Sequence, residues 1–489
     1  MLEPAYQADV VVVGAGVAGL WAARRLTSAG VTTMVLEAAH GVGGRMATER
    51  VDGFRLDRIG QLLTVPRTSW PASAAHPDPR RATALDGLVL RPFAPGVLVH
   101  SDGRRHRAGI PATARGARGA LHAVRALAGV PRPAPAPRNR AGAPPGSAAG
   151  RARPFPDAPP PARLDRYRHG DRGRQFGIVA PLRLRAELAR LADTPVERLL
   201  ARPELPAGQA LAARGLPART VDGFLRPLLA ALLSDPDLTT SSRCADLALR
   251  AFASGRLCLP EGGAQALPEL LARTLPPGTV RTGVRVTSVS ANGVATAEHG
   301  EIRCRAVLLA TGARAAAELL PGLRVPDFHP VTVVHHTTDE PPPTGTCLLL
   351  DADRGGPVAH TAVVSRVDPS RAPAGRTLVS STVLGPPPAD VDTVVRGHLS
   401  RLYGTSTARW ETLAVHHTAE AVPAMRPPHD PRRPVRLLAG LYVCGDHRDT
   451  STVQGALRSG RRASAAILAD LGAAGSMHAA DPLPTARAA

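Results

Sequence analysis

Residues 10 to 46 of this chain read VVVVGAGVAGLWAARRLTSAGVTTMVLEAAHGVGGRM, and no other stretch limits its possible folds as tightly. It opens on Val10 to Val13, an unbroken apolar run of the kind that forms a strand buried on both faces. Gly14, Gly16 and Gly19 follow at GxGxxG spacing. A helical stretch then runs from about Val17 to Gly30, where glycine supplies a C-terminal stop. A second β-branched run, Val31 to Leu36, ends on Glu37. The predicted unit is strand, tight turn, helix and strand, with an acid closing the second strand.

That order of residue types suits a dinucleotide. Gly14 permits the tight turn, Gly16 lets backbone approach a pyrophosphate, and Gly19 lets the helix pack on the strand. The helix N-terminus offers N–H groups and a positive dipole end to phosphates. Glu37 suits a ribose diol, and its charge disfavours a 2′-phosphate. Six residues after the acid comes Gly43-Gly44-Arg45, a second glycine pair able to wrap the outer side of the pyrophosphate, with Arg45 adding a charge-assisted hydrogen bond.

With E-x5-G-G-R behind such a unit, the chain resembles the FAD-binding amine oxidase superfamily, which includes protoporphyrinogen oxidases and phytoene-desaturase-like enzymes. Further segments resemble that superfamily in chain order. GFRLDRIGQLL, residues 53–63, resembles the segment running towards the flavin ring, and implicates Gly60 and Gln61. LPEGGAQALPELLA, residues 259–272, resembles its P-x-G-G segment and following helix. VRVTSVS (284–290, with Val286) and AVLLATG (306–312) resemble the adenine-side strands. GLYVCGDHRDTSTVQGALRSGRRAS, residues 440–464, resembles the C-terminal flavin motif. The resemblance implies that Gly445 and Asp446 meet the ribityl chain. It also implies that Gly455 and Ala456 start a helix aimed at the flavin N1–C2=O edge, where reduced flavin carries negative charge.

The expected fold class is α/β: a Rossmann-like FAD domain of the glutathione-reductase type, with an interleaved mixed α+β substrate domain. The expected FAD domain is discontinuous, 1–64, 256–325 and 421–472, and the substrate domain takes 65–130, 162–255 and 326–420. Residues 131–161 are rich in proline and arginine and poor in large apolar side chains, so they are expected to be a disordered insertion. Residues 473–489 are expected to be a flexible tail. LVLRPF and GVLVHSDGRRHRAG, within 83–110, read as two strands of a sheet. Pro181 to Leu200 and Thr220 to Leu233 show helical periodicity, and Val331 to Val415 reads as strands with proline-rich turns. The apolar 220–233 stretch reads as a core helix or tunnel wall. A weak peripheral membrane contact, helped by arginines at 163–174, is the alternative.

Composition excludes several classes. No apolar run reaches the length of a spanning helix. The five cysteines have no CxxC spacing, which fits neither a disulfide framework nor zinc and suggests a reducing cytoplasm. The N-terminus is acidic and leads straight into the nucleotide strand, so no signal peptide is expected. Net charge is +20, yet nucleic-acid binding is not expected, because the arginines are spread along the chain and aromatics for stacking are scarce.

The chain contains no lysine. Many flavin amine oxidases that it resembles use a lysine to hold a water near flavin N5, and line the flavin face with aromatics. One of those aromatics would sit three residues before the Gly-Ala pair, where this chain has Thr452. Trp410 and Tyr442 are the remaining candidate aromatics, Tyr442 reading rather as packing. Cys444 lies in a strand, so the FAD is expected to be noncovalent. The pairs His335-His336 and His416-His417 cannot each chelate one metal, since adjacent strand residues point oppositely, and no metal is expected. The expected function is an FAD-dependent oxidoreductase, desaturase- or dehydrogenase-like, whose flavin takes hydride from a small or apolar substrate, with no catalytic side chain named. The alternatives are an amine or amino-acid oxidase, or a non-catalytic flavin-binding protein.

Overall fold

The computed structural model describes residues 8–66, 87–109 and 179–472. The insertion expected at 131–161, the arginines at 163–174 and the tail at 473–489 lie outside those residues. The first strand, β1 (Val10–Val13), is buried at every position. It lies between two parallel partners, as its all-apolar sequence requires. On one side is β2 (Thr33–Glu37), and on the other Ala306–Leu309. The full sheet runs Val280–Thr282, β2, β1, Ala306–Leu309, Leu441–Val443, Arg436–Leu438. Only the last pair is antiparallel.

Between β1 and β2 runs α1 (Val17–Ser28). It stops two residues earlier than expected, and Gly30 takes a left-handed conformation in the turn that follows. The helix packs against the last helix of the described chain, Val453–Asp470. There a Cβ on Gly460 would lie 2.4 Å from the Ala18 carbonyl oxygen, so only glycine permits this approach.

The second large sheet has seven strands, and β3 (Phe328–Thr338) lies second from one edge. Antiparallel to β3 lie Thr377–Leu384 and the long β4 (Glu411–Pro423). The far edge is the hairpin of Val97–Ser101 and Arg104–Ala108. This corrects the sequence reading, which gave LVLRPF and the hairpin to one sheet. Leu90–Pro92 instead joins Leu63–Pro66 and Gly255–Pro260 in a separate three-stranded sheet. Between the strands of the 331–415 region the chain also forms a helix, Val391–Tyr403, whose first turn is capped by the Asp390 carboxylate.

The 181–200 stretch forms two helices, Val179–Asp193 and Val196–Leu200, interrupted at Pro195. The 220–233 stretch is a helix with a π-helical start, and Phe224, Leu225, Leu228 and Leu229 are all at most 1 % exposed. It is a core helix, which removes the apolar surface that a membrane contact there would need. Among the described residues no helix is long and apolar enough to cross a membrane.

Candidate functional site

The three glycines after β1 have different reasons to be glycine. Gly14 has φ +106°, and a Cβ there would stand 3.0 Å from the Ala310 carbonyl oxygen. At Gly19 a Cβ would lie 2.2 Å from the Gly14 carbonyl oxygen. Both are demanded by neighbouring backbone. Gly16 is not, since nothing lies within 4 Å of the position a Cβ would take. It stands at the start of α1, which has no side-chain cap.

The second glycine pair folds back onto the first loop. Gly43, at φ +121°, donates its N–H to the Ala15 carbonyl oxygen at 2.9 Å. Gly44, at φ +55°, again has nothing within 4 Å. Glu37 accepts from Ala15 N–H at 2.8 Å and Ala39 N–H at 2.9 Å, so its carboxylate is oriented by the glycine loop itself.

Arg45 and Asp446 meet directly. Arg45 Nη2 lies 2.6 Å from Asp446 Oδ1, and Nη1 donates to the Ala421 carbonyl oxygen at 2.8 Å. Burial works to raise the Asp446 carboxyl, but the Arg45 charge and hydrogen bond outweigh it and keep it below the usual carboxylate range. Gly445, at φ +145°, donates to Ser459 Oγ at 3.0 Å, and a Cβ there would strike the His447 ring at 2.6 Å. Burial pushes His447 down to about 4, so it is neutral.

The helix after this motif, α2 (Val453–Asp470), begins two residues before Gly455. This corrects the expectation that Gly455 and Ala456 open it. The cap is Thr452, whose Oγ1 accepts from Gly455 N–H at 3.0 Å. Gly455 is required by crowding, since a Cβ would fall 1.9 Å from the Thr450 carbonyl oxygen. Ala456 packs against the core beneath the parallel sheet. Thr452 is itself an N-cap residue type, a signal the sequence carries beside the missing aromatic.

Gly60, at φ +59°, faces Val333 and Thr382, each 3.6 Å from its virtual Cβ. Beside it Gln61 Oε1 is buried without a hydrogen-bond partner. Ile59, Val331, Val333, Ala421 and Val422 pack together into an apolar wall. Val286 stands apart from these loops. It opens a small antiparallel sheet whose preceding residues reach the Glu37 turn: Gly283 N–H donates to the Ala39 carbonyl oxygen and Val284 N–H to the Glu37 carbonyl oxygen, each at 2.9 Å.

The histidine pairs divide as strand alternation requires. His335 Nε2 donates to the Asp57 carbonyl oxygen at 3.0 Å, and its ring meets His416 edge-on at 5.5 Å. Burial lowers its pKa to about 3. His336 points to the other face, 5.9 Å from Trp410. Trp410 also packs on Tyr403, on the face of β3 opposite Val333 and Gly60. It is therefore not a candidate wall for the C-terminal motif. The Tyr442 hydroxyl donates to Asp470, and the ring is core packing as expected.

Sequence reasoning missed the polar tie beneath this region. Arg371 Nη2 sits 2.9 Å from Asp57 Oδ2, with both side chains buried. Asp57 Oδ1 also accepts from Thr48 Oγ1 at 2.7 Å and Ala264 N–H at 2.9 Å. Ala264 and Arg371 lie hundreds of residues from Asp57, and no local spacing announces them.

With this geometry in hand, the sequence profile of flavin containing amine oxidoreductases matches residues 17–468. The chain belongs to that family. Membership in the flavin containing amine oxidoreductases brings the FAD cofactor and the oxidoreductase class. Putrescine oxidase of Kocuria rosea is 53 % identical over 110 residues, which cover 21 % of this chain and 20 % of that protein. Phytoene dehydrogenase of Streptomyces griseus is 40 % identical over 108 residues, covering 21 % of each. The aligned stretch thus spans about a fifth of each of these curated relatives. A solved structure assigned as a protoporphyrinogen oxidase, from Exiguobacterium sp. 255-15, superposes with TM-score 0.63 at 18 % identity, covering 96 % of this chain and all of that one. This likeness bears out the expected α/β flavoenzyme fold.

Proposed function

We propose that this family member is a dehydrogenase or desaturase of an apolar small molecule, with FAD held noncovalently by the two glycine loops, Glu37, the Arg45–Asp446 pair and the start of α2. The residues fit such a group. Gly16 and Gly44 both leave open space where backbone would meet phosphates. The buried Gln61 oxygen has no protein partner and is available to a cofactor donor. Residues 1–64, 256–325 and 421–472 are the proposed FAD domain, and 65–130, 162–255 and 326–420 the substrate domain.

When bound, FAD supplies the hydride acceptor; the chain supplies orientation and a dry wall. Glu37 orients the ribose of the adenine half and Asp446 the ribityl chain, and Ile59, Val331 and Val333 pack as a buried apolar cluster beside Gly60. The observation that carries the reading is Thr452. Its hydroxyl is committed to capping α2, at the position where an amine oxidase would place an aromatic. His335, buried and neutral, is locked by Asp57 and Ser380 and is not poised as a base. The five cysteines are free and buried, which supports a reducing cytoplasmic setting.

The test is anaerobic bleaching of the purified flavoprotein by a panel of amines, amino acids and isoprenoid hydrocarbons. Bleaching by a hydrocarbon and not by amines is expected. Peroxide release in air at about 1 s⁻¹ or faster with a simple amine, within the ordinary enzyme range, would instead establish an amine oxidase.

A further inference from the structure

We propose that His100, Asp351 and Asp353 form a divalent metal site that takes Zn²⁺ or Mn²⁺, at the hairpin edge of the seven-stranded sheet. It is separate from the FAD loops and does not depend on the reading of substrate given above.

His100 comes from the strand Val97–Ser101, and Asp351 ends the adjacent parallel strand Leu349–Asp351. Pairing of these two strands places the residues directly opposite each other. Asp353 follows in the turn. His100 Nδ1 lies 3.3 Å from Asp353 Oδ2 and 3.9 Å from Asp351 Oδ1. One donor atom from each residue falls within 4.8 Å of the other two. Metal–ligand bonds of about 2.0–2.2 Å place neighbouring donors roughly 3–3.5 Å apart, so only a slight closure is needed. One imidazole with two carboxylates is a donor set for borderline divalent ions.

The imidazole is the informative member. His100 is 9 % exposed, and its Nδ1 has no hydrogen-bond partner although it is aimed between two carboxylates. A buried ring nitrogen left unpaired is costly unless something occupies the gap.

A second imidazole orients Asp351 from behind. His398 Nδ1 accepts from Val358 N–H at 3.2 Å, so the ring proton belongs on Nε2. Nε2 lies 3.3 Å from Asp351 Oδ2. Hydrogen bonds of this kind hold ligating carboxylates in place; Oδ1, which accepts from Asp353 N–H at 3.1 Å, keeps a second lone pair for the cluster. Gly356 makes the arrangement possible, since a Cβ there would stand 2.5 Å from the His398 ring. Asp353 is steadied by Asp102 N–H, which donates to Oδ1 at 2.9 Å, and by Gly103 N–H, which donates to Oδ2 at 3.4 Å, with Oδ2 also 3.3 Å from His100 Nδ1. A metal here would fasten the hairpin 97–108 to the turn at 351–355.

The test uses the full-length, FAD-loaded protein, stripped with EDTA and titrated with MnCl₂ while the signal of free Mn²⁺ is followed by electron paramagnetic resonance. ZnCl₂ is then added as competitor. One saturable equivalent per chain, displaced by Zn²⁺, is expected. Asp353→Asn keeps the contact to Asp102 N–H but removes the charge. It should weaken that equivalent at least about tenfold, the scale on which even supporting groups act, with flavin absorbance unchanged. His100→Gln should do the same. No saturable uptake by the wild-type protein, or undiminished uptake by Asp353→Asn, would overturn the proposal and leave the trio as an internal ion pair.

Discussion

The guanidinium of Arg45 lies 2.6 Å from the carboxylate of Asp446, 401 residues further along the chain. One residue belongs to the loop after β2 and the other to the turn before α2, so this contact joins the two proposed halves of the flavin cradle. Arg45→Met should leave Asp446 buried without its cation. Loss of roughly 1–3 kcal/mol is expected, less than for a fully buried pair because Arg45 keeps some solvent contact. Chemical denaturation and the flavin-to-protein absorbance ratio would check it.

The same pair sets an acid limit. The folded Asp446 carboxyl titrates below its unfolded value, so its ionisation stabilises the fold above the usual carboxylate range. That contribution is lost as pH falls through the folded value. Thermal melts between about pH 3 and 7 should show a shallower acid limb in Arg45→Met than in the wild type.

Gly16 and Gly19 should separate cofactor binding from folding. Gly19→Ala forces a Cβ against the Gly14 carbonyl oxygen and should destabilise the whole protein by several kcal/mol. Gly16→Val meets open space, so it should fold and elute with little flavin. Circular dichroism together with flavin absorbance distinguishes the two outcomes. A Gly16→Val protein carrying full FAD would contradict the cradle.

Thr452→Ala removes the cap of α2, and a loss of about 1 kcal/mol is expected, with Thr452→Ser close to wild type. Denaturant midpoints of the three proteins are the measurement.

His336 is fully buried, with neither ring nitrogen bonded. Burial lowers its pKa from 6.5 to about 4. Between those values the unfolded chain binds the extra proton, so stability should fall as pH drops from about 6.5 towards 4. His336→Leu should remove part of that slope, roughly 1 kcal/mol per pH unit, and be neutral or stabilising at pH 7. Melting curves across that range decide it.

Legibility in the sequence followed locality. The unit from β1 to β2 is readable because its pattern is local: Gly19 answers to Gly14 and Gly16 to the ligand side, although Gly14 also answers to the remote Ala310. His335 and His336 were assigned to opposite faces correctly because strand alternation is a local rule. Arg45–Asp446 and Asp57–Arg371 were hidden, since nothing near either residue encodes its partner. LVLRPF was placed in the wrong sheet for the same reason: its strand character is local, but its neighbour, Gly255–Pro260, is remote. Thr452 carries two signals at once, a missing aromatic and an N-cap, and only the first is visible without knowing where α2 begins.

The packing of α1 on α2 bears on how the protein is made. Gly460 lies against Ala18, and Arg25 Nε donates to Ser464 Oγ at 3.2 Å. As the chain leaves the ribosome, the glycine loop after β1 emerges early but its helical neighbour emerges late. Leu441–Val443, Asp446 and α2 all arrive together near the end. Until then the nascent sheet lacks one side and Arg45 lacks its counter-ion. In the proposed cradle, flavin capture waits for the C-terminal motif, and a product truncated before residue 440 is expected to keep the glycine fingerprint yet remain colourless.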